Sequence, residues 1–90
     1  MQFCRTERFK RAFRDLPAPI QEKAVKALRL LAENPRHPSL QVKKIRGTEN
    51  IWEARVDQKY RFTFQIEHER GQTVIFLRNI DSHDDCLRNP

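Results

Sequence analysis

The chain has 90 residues, enough for one domain with a modest core, and 38% of them are hydrophobic while 33% are charged. This composition excludes an intrinsically disordered chain, and no apolar run approaches the roughly 18 residues of a membrane-spanning helix. Eighteen Lys and Arg residues against twelve Asp and Glu residues give a net charge of +6. That charge favours nucleic acid or another anionic partner, and a basic surface without a partner is the simpler alternative.

The sequence lacks the motifs of most cofactor and metal sites. It has only two glycines, and neither a GxGxxG pattern nor a P-loop is present. No CxxC or HxxxH spacing occurs, so we expect no metal ion and no cofactor. Cys4 and Cys86 are expected to be free thiols, and the N-terminal residues lack the apolar stretch of a signal peptide. These features predict a cytoplasmic protein.

The first half of the chain has the period of helices. Residues 2–5 are a strand candidate, and Thr6 is a suitable N-cap for the helix that follows. Apolar residues then recur at i, i+3, i+4 and i+7: Phe9, Ala12, Phe13 and Leu16. Pro19 can open a second helix, whose apolar stripe spans residues 20–31, and Asn34 ends it because a proline follows. We predict an antiparallel helical hairpin.

The second half changes to the period of two that is typical of strands. Four strands are predicted, at residues 40–46, 51–56, 60–66 and 73–80. The last contains VIFL, a continuous apolar run that favours a central place in the sheet. A turn is predicted at residues 68–71, and Ser82 is expected to cap a helical turn. We predict one α+β domain, residues 1–90, with the helical hairpin packed on a small, mostly antiparallel sheet of four to five strands.

The hairpin WEARVDQKYRFTFQI sets two arginines side by side. With residues 57–59 as its loop, Arg55 lies opposite Arg61, and Glu53 lies opposite Thr63. This register keeps the apolar residues together on the face toward the helices and leaves the other face open for chemistry. Like charges directly opposite each other destabilise a sheet, so a bound anion or an acidic partner explains them better than stability does. Solvated arginines on an exposed strand are the simpler alternative.

Further basic side chains are predicted to join this surface and to bind phosphate: Lys43, Lys44, Arg46 and Arg78. His83 follows the last strand, and histidine is the side chain that most readily exchanges protons near neutral pH. The alternative is that His83 is only the first residue of the capped helical turn, with the two aspartates after it stabilising the helix N-terminus.

These segments carry a resemblance. A helical hairpin followed by NPRHPSLQVKKIRG, WEARV, YRFTFQI and VIFLRNIDSHDD is similar to the RelE/ParE superfamily of toxins from bacterial toxin–antitoxin systems, over nearly the whole chain. The RelE-like members are the most similar. The resemblance implies a ribosome-dependent, metal-independent endoribonuclease that cleaves mRNA by 2′-hydroxyl attack. It also implies a cognate antitoxin as partner, with contact to DNA only through the antitoxin complex.

The resemblance also implies roles for individual residues. Arg61 matches the family's transition-state-stabilising arginine, Arg55 matches a basic position on the same surface, and His83 falls where members protonate the leaving group. Glu53 lies where some relatives carry a lysine, which makes it a speculative general base. Many active members carry a tyrosine shortly after the position of His83, and this chain has Asp84, Asp85 and Cys86 there. Two alternatives remain open: a ParE-like inhibitor of DNA gyrase, and a basic binding domain that has lost catalysis.

Overall fold

In the computed structural model, which describes residues 2–90, a five-stranded sheet carries two helices on one face. The strands are β1 Gln2–Arg5, β2 Lys43–Lys44, β3 Ile51–Arg55, β4 Tyr60–Glu69 and β5 Gln72–Ser82, and the helices are α1 Glu7–Arg14, α2 Ala18–Glu33 and α3 His83–Arg88. The strand order is β1-β5-β4-β3-β2; β1 runs parallel to β5 and the other pairs are antiparallel. The predicted α+β class is confirmed. No helix between Gln2 and Pro90 is long and apolar enough to cross a membrane.

The helical hairpin begins and ends at the predicted residues. The Thr6 hydroxyl accepts a hydrogen bond from the backbone N–H of Phe9 at 3.2 Å and donates one to the carbonyl of Leu77 at 2.8 Å. It therefore caps α1 and ties its start to β5. A proline lies in the first turn of α2, where a missing N–H costs nothing, and Asn34 is the C-cap residue.

The core lies between the helical hairpin and the sheet. Its largest side chains are no more than 1% exposed: Phe9, Leu31, Leu40, Phe62, Phe64, Leu77 and Ile80. Burial of each contributes roughly 1.5–3 kcal/mol to the free energy of unfolding. Ala24 and Ala27 of α2 are also buried and belong to the same core.

The predicted strand at residues 40–46 is wrong for most of its length. A single 3₁₀ turn spans Pro38–Leu40, Gln41 has a left-handed backbone with φ 46°, and only Lys43–Lys44 pair with β3. The His37 ring accepts a hydrogen bond from the backbone N–H of Ser39 at 3.2 Å, which favours the turn over an extended chain. The side chain of Leu40 is buried, but Leu40 belongs to the 3₁₀ turn and not to a strand.

The hairpin of β4 and β5 is longer than predicted. Strand pairing continues to Glu69 and Gln72, so the turn is only Arg70 and Gly71, with φ values of 50° and 78°. Two consecutive residues with positive φ match the right-handed twist of the strands that they join. A two-residue turn is therefore long enough to join the two strands.

A β-bulge interrupts the pairing of β4 with β5. Thr63 pairs with Asn79 and Phe64 pairs with Leu77, so Arg78 has no partner in the ladder. Arg78 donates a hydrogen bond to the side chain of Gln65 on β4 at 2.8 Å. The bulge therefore turns this arginine toward the face away from the core, where Asn79 also lies.

The face opposite the helical hairpin is not open, contrary to the prediction. The Cys86 side chain of α3 is fully buried, and its thiol lies 3.5 Å from the carbonyl of Arg61. Thr63 donates to the main-chain oxygen of Pro90 at 2.9 Å, and Asn79 donates to that of Asn89 at 3.0 Å. These two strand residues are small and polar, so they satisfy the carbonyls of a chain segment packed across them.

Asp57 closes the loop between β3 and β4. Its carboxylate accepts hydrogen bonds from the backbone N–H groups of Lys59 at 2.9 Å and Tyr60 at 2.8 Å, and it pairs with the Lys23 ammonium at 3.4 Å. Burial by itself would raise the pKa of Asp57, but these three partners outweigh it and hold the pKa below its usual value. The ionised carboxylate therefore stabilises the fold.

We expect Asp57→Asn to lower the free energy of unfolding by about 1 kcal/mol at pH 7, since the amide keeps an acceptor oxygen but loses the charge. Because the folded pKa is depressed, the stabilisation is present above the unfolded pKa of about 3.9 and is lost as the pH falls through the folded pKa. Urea unfolding at pH 7 and below pH 4 checks this. Asp15→Asn, at an exposed aspartate, serves as the control and should change stability by less than about 0.5 kcal/mol. A gap between wild type and Asp57→Asn that stays constant with pH would contradict the assignment.

Candidate functional site

Three of the predicted site residues meet at one end of the sheet. Arg55 pairs directly with Arg61 across β3 and β4, as predicted. The same end of β4 pairs with the end of β5, and the backbone N–H of His83 donates to the carbonyl of Lys59 at 2.7 Å. We call the group Arg55, Arg61 and His83 the basic corner. Its members come from two strands and the first position of α3.

Neither arginine of the basic corner has a carboxylate partner within residues 2–90. Arg61 is half-buried, and its guanidinium donates to the main-chain carbonyls of Asp57 and Tyr60, the latter at 3.0 Å. Arg55 is also half-buried and makes no side-chain hydrogen bond to the described chain. The strand register places Asp81 opposite Arg61 on β5, but no carboxylate of the described residues forms an ion pair with either arginine, an arrangement suited to a bound anion.

The imidazole of His83 is held at the edge of the corner. Its Nδ1 atom is buried and has no hydrogen-bond partner among the described residues, whereas the residue as a whole is half-exposed. A buried polar atom without a partner costs free energy, and such atoms concentrate at functional sites. Its backbone is fixed at the same strand end as the two arginines by the hydrogen bond to Lys59, and an imidazole can exchange a proton with a ligand bound beside it.

Lys43 and Glu53 form a second, separate group on the same side of the sheet. The Lys43 ammonium lies 3.4 Å from one carboxylate oxygen of Glu53, and the other oxygen is buried without a partner in the described chain. Glu53 is only 2% exposed. An open cleft of about 530 Å³ adjoins them and is also lined by Arg46 and Leu87. A base must reach its substrate, so Glu53 as a general base stays a hypothesis that requires movement of α3.

Of the remaining predicted phosphate-binding residues, Lys44 and Arg46 line the same cleft as Lys43 and Glu53, and Arg78 lies elsewhere. Lys44 pairs with Trp52 in the strand register. Arg78 donates to the main-chain oxygen of Pro90 at 3.1 Å as well as to Gln65, and it therefore holds the C-terminal segment against the sheet. Arg46 is exposed beside Lys43. No three His, Cys, Asp or Glu side chains between Gln2 and Pro90 are grouped so that they could hold a metal ion.

Sequence reasoning missed the contribution of α2 to this region. Lys23 and Lys26, which the sequence analysis did not single out, line a small cleft together with Arg55. Their i, i+3 spacing beside the buried Ala27 was the available signal, because such residues flank the stripe that packs on the sheet. The sequence did not indicate which strand end they would meet.

No protein-family model matches the chain, and no curated protein matches it. Solved structures do. The YoeB/ParE toxin from Agrobacterium tumefaciens superposes with a TM-score of 0.75 and 15% identity, over 92% of this chain and 99% of that one. A chain of the intact E. coli RelBE toxin–antitoxin complex superposes with a TM-score of 0.68 and 24% identity, over 88% of this chain and 92% of that one. A chain of the archaeal RelE–RelB complex from Pyrococcus horikoshii OT3 superposes with a TM-score of 0.69 and 18% identity, over 90% of this chain and 92% of that one.

The chain has the RelE/ParE toxin fold. The fold that the resemblance implied is therefore confirmed over nearly the whole length of the compared chains. At identities of 15–24% the shared property is the fold, which hosts more than one activity. Activity has to be inferred from the side chains of the basic corner.

The two cysteines are expected to differ strongly in reactivity. Burial, helped by the negative charges of Asp81 and Glu53, raises the pKa of the Cys86 thiol to about 12, whereas Cys4 is exposed. At pH 8 only about one Cys86 in ten thousand would be a thiolate, the form that reacts. Ellman's reagent should therefore titrate one thiol quickly in the native protein and the second only in denaturant. Cys4→Ser should abolish the fast phase, and two equally fast thiols would show that α3 does not cover the sheet.

Proposed function

We propose that this protein is the toxin of a toxin–antitoxin pair and that it is a ribosome-dependent, metal-independent endoribonuclease acting on mRNA. The observation that carries the proposal is the basic corner, in which Arg55 and Arg61 face each other without a carboxylate partner and His83 lies beside them. A gyrase inhibitor that works by binding alone would not require this combination. The shared fold with RelE and YoeB/ParE toxins supports the assignment to a toxin.

The corner supplies the cations and the proton donor that the chemistry needs, and water accepts the proton of the attacking hydroxyl. The 2′-hydroxyl oxygen of one nucleotide attacks the adjacent phosphorus, its proton leaves to water, and the bond from phosphorus to the 5′-oxygen breaks. Arg55 and Arg61 bind the non-bridging oxygens, whose negative charge grows in the transition state. The His83 imidazolium gives a proton to the departing 5′-oxygen. The products are a 2′,3′-cyclic phosphate and a 5′-hydroxyl end.

The partners follow from the charge of the molecule. With a net charge of +6, the protein is attracted to the mRNA and ribosomal RNA around the decoding site, and exposed Lys43 and Arg46 extend the basic surface beyond the corner. The same surface favours an antitoxin that covers it with an acidic helix or extended segment. Contact with DNA would come only through that antitoxin.

Loss of either main catalytic side chain should abolish cleavage. We expect Arg61→Ala and His83→Ala each to slow mRNA cutting by about 100-fold or more, because one removes transition-state charge stabilisation and the other removes the proton donor. Primer extension on mRNA from a purified translation reaction measures the rate. His68→Ala is the matched control, since His68 is an exposed strand residue at the far end of β4, and it should cut at the wild-type rate.

An mRNA that stays intact with folded wild-type protein on translating ribosomes would overturn the proposal. Inhibition of DNA supercoiling by gyrase in the same preparation would then identify the ParE-like activity instead. Absence of both effects would identify a basic binding domain.

Glu53→Gln separates the two possible roles of the buried carboxylate. If α3 stays on the sheet during catalysis, the carboxylate never meets the substrate, and this variant should cut mRNA within about twofold of the wild-type rate. Its free energy of unfolding should change little or increase, because a buried charge with a single partner repays little of its desolvation cost. A loss of about 100-fold in cutting without loss of stability would make Glu53 the general base and would require α3 to open.

A further inference from the structure

A second cluster of cations lies between α2 and the end of β3. A cleft of about 200 Å³ is lined by Lys23 and Lys26 of α2, Arg55 of β3 and Ser39 of the 3₁₀ turn. Its remaining walls are apolar and come from α2, the turn and the residue after β3. Three elements therefore bring three positive charges and one hydroxyl to one small concave site.

The charges in this cleft are not balanced by the protein. Within the part of the chain that the structure describes, the only carboxylate paired with any of them is Asp57, which lies 3.4 Å from Lys23. That carboxylate also accepts the backbone N–H groups of Lys59 and Tyr60, so it is already engaged. Lys26 and Arg55 have no ion-pair partner among these residues.

Ser39 gives the cleft a polar group at its rim. Its hydroxyl lies 2.8 Å from Nδ1 of His37, and its backbone N–H is bonded to the same atom. The His37 ring therefore fixes where the hydroxyl sits. Because Nδ1 accepts both bonds, Ser39 shapes the cleft, and the groups that can bind a phosphate oxygen there are the ammonium and guanidinium groups.

The cleft adjoins the basic corner through Arg55, which belongs to both. Arg55 pairs with Arg61 across the strands and at the same time lines the cleft with the α2 lysines. A polyanion bound at the corner can therefore extend toward the cleft along Arg55. Phosphates along one RNA strand form such a series of anions.

We propose that the cleft of Lys23, Lys26, Arg55 and Ser39 binds a backbone phosphate of the RNA, next to the phosphate held at the basic corner. The inference rests on the proposed nuclease function for the identity of the RNA but not for the existence of the anion site. Arg55 bridges the two phosphates, and the α2 lysines set the direction in which the strand leaves the corner.

The experiment compares Lys23→Ala/Lys26→Ala with Lys10→Ala/Arg11→Ala, a double variant that removes the same charge from exposed positions of α1. Binding of a short single-stranded RNA with 2′-O-methyl groups, which cannot be cleaved, is measured by fluorescence anisotropy at several salt concentrations. The α2 variant should bind about tenfold more weakly, with a shallower salt dependence, since about two fewer counterions are released. The α1 variant should bind more tightly than the α2 variant and close to wild type.

Proton–nitrogen NMR spectra of wild type with added RNA locate the contact independently of activity. The backbone signals of Lys26 and Ser39 should shift together with that of Arg55. If wild type binds RNA and both double variants bind equally well, the anion site does not exist. If an acidic peptide shifts these signals and RNA does not, the ligand is a protein and the inference is overturned. If RNA binds as expected but mRNA is not cut on ribosomes, the proposed function fails while the anion site stands.

Discussion

Asp57 accepts the backbone N–H groups of Lys59 and Tyr60, and the loop that it closes sets β3 against β4 in a single register. Because side chains alternate across a sheet, that register decides two surfaces at once. It brings Ala54 and Phe62 together beneath the helices, and it brings Arg55 and Arg61 together at the sheet end. A shift of the register by one residue would move the apolar side chains out of the core and the arginines into it. Burial of the apolar side chains therefore also fixes the position of the arginines.

The molecule tolerates two adjacent guanidinium groups because Arg61 is satisfied by main-chain carbonyls of the loop and not by an acid. A carboxylate in that position would neutralise the charge and compete with an incoming phosphate. On the same face, α3 and the residues after it cover Thr63 and Asn79. The surface left for a polyanion is therefore a narrow path at one end of the sheet, bounded by α2 on one side and α3 on the other.

The sequence was sufficient for features that depend on neighbouring residues. Thr6 caps α1, prolines limit α2, and the alternation of apolar residues sets the register of Arg55 with Arg61. It failed where a distant contact decides the structure. Residues 40–46 alternate like a strand, but the His37 cap and the left-handed Gln41 leave only two residues of pairing.

The covering of the sheet by α3 was missed for the same kind of reason. The polar residues Arg61 and Thr63 suggested a face open for chemistry, and nothing local showed that Thr63 would donate to a main-chain oxygen of Pro90. Likewise, nothing local showed that Lys23 and Lys26 of α2 would line a cleft with Arg55. Arg55, Arg61 and His83 lie at one end of the sheet, as predicted. The positions of Arg78 and Lys43 depend instead on contacts with Pro90 and Glu53, which are distant in sequence.

The hydrogen bond from Thr6 to Leu77 joins residues 71 positions apart, and among residues 2–90 β1 pairs with no strand other than β5. During synthesis, the first strand and helix must therefore wait until most of the chain has left the ribosome. Contacts of such long range make folding slow relative to the helical hairpin alone. His83 is added after β5, so the basic corner is completed only when the sheet can close. A chain synthesised only as far as Ser82 has 17 Lys and Arg against 10 Asp and Glu, so it is already strongly basic before His83 is added.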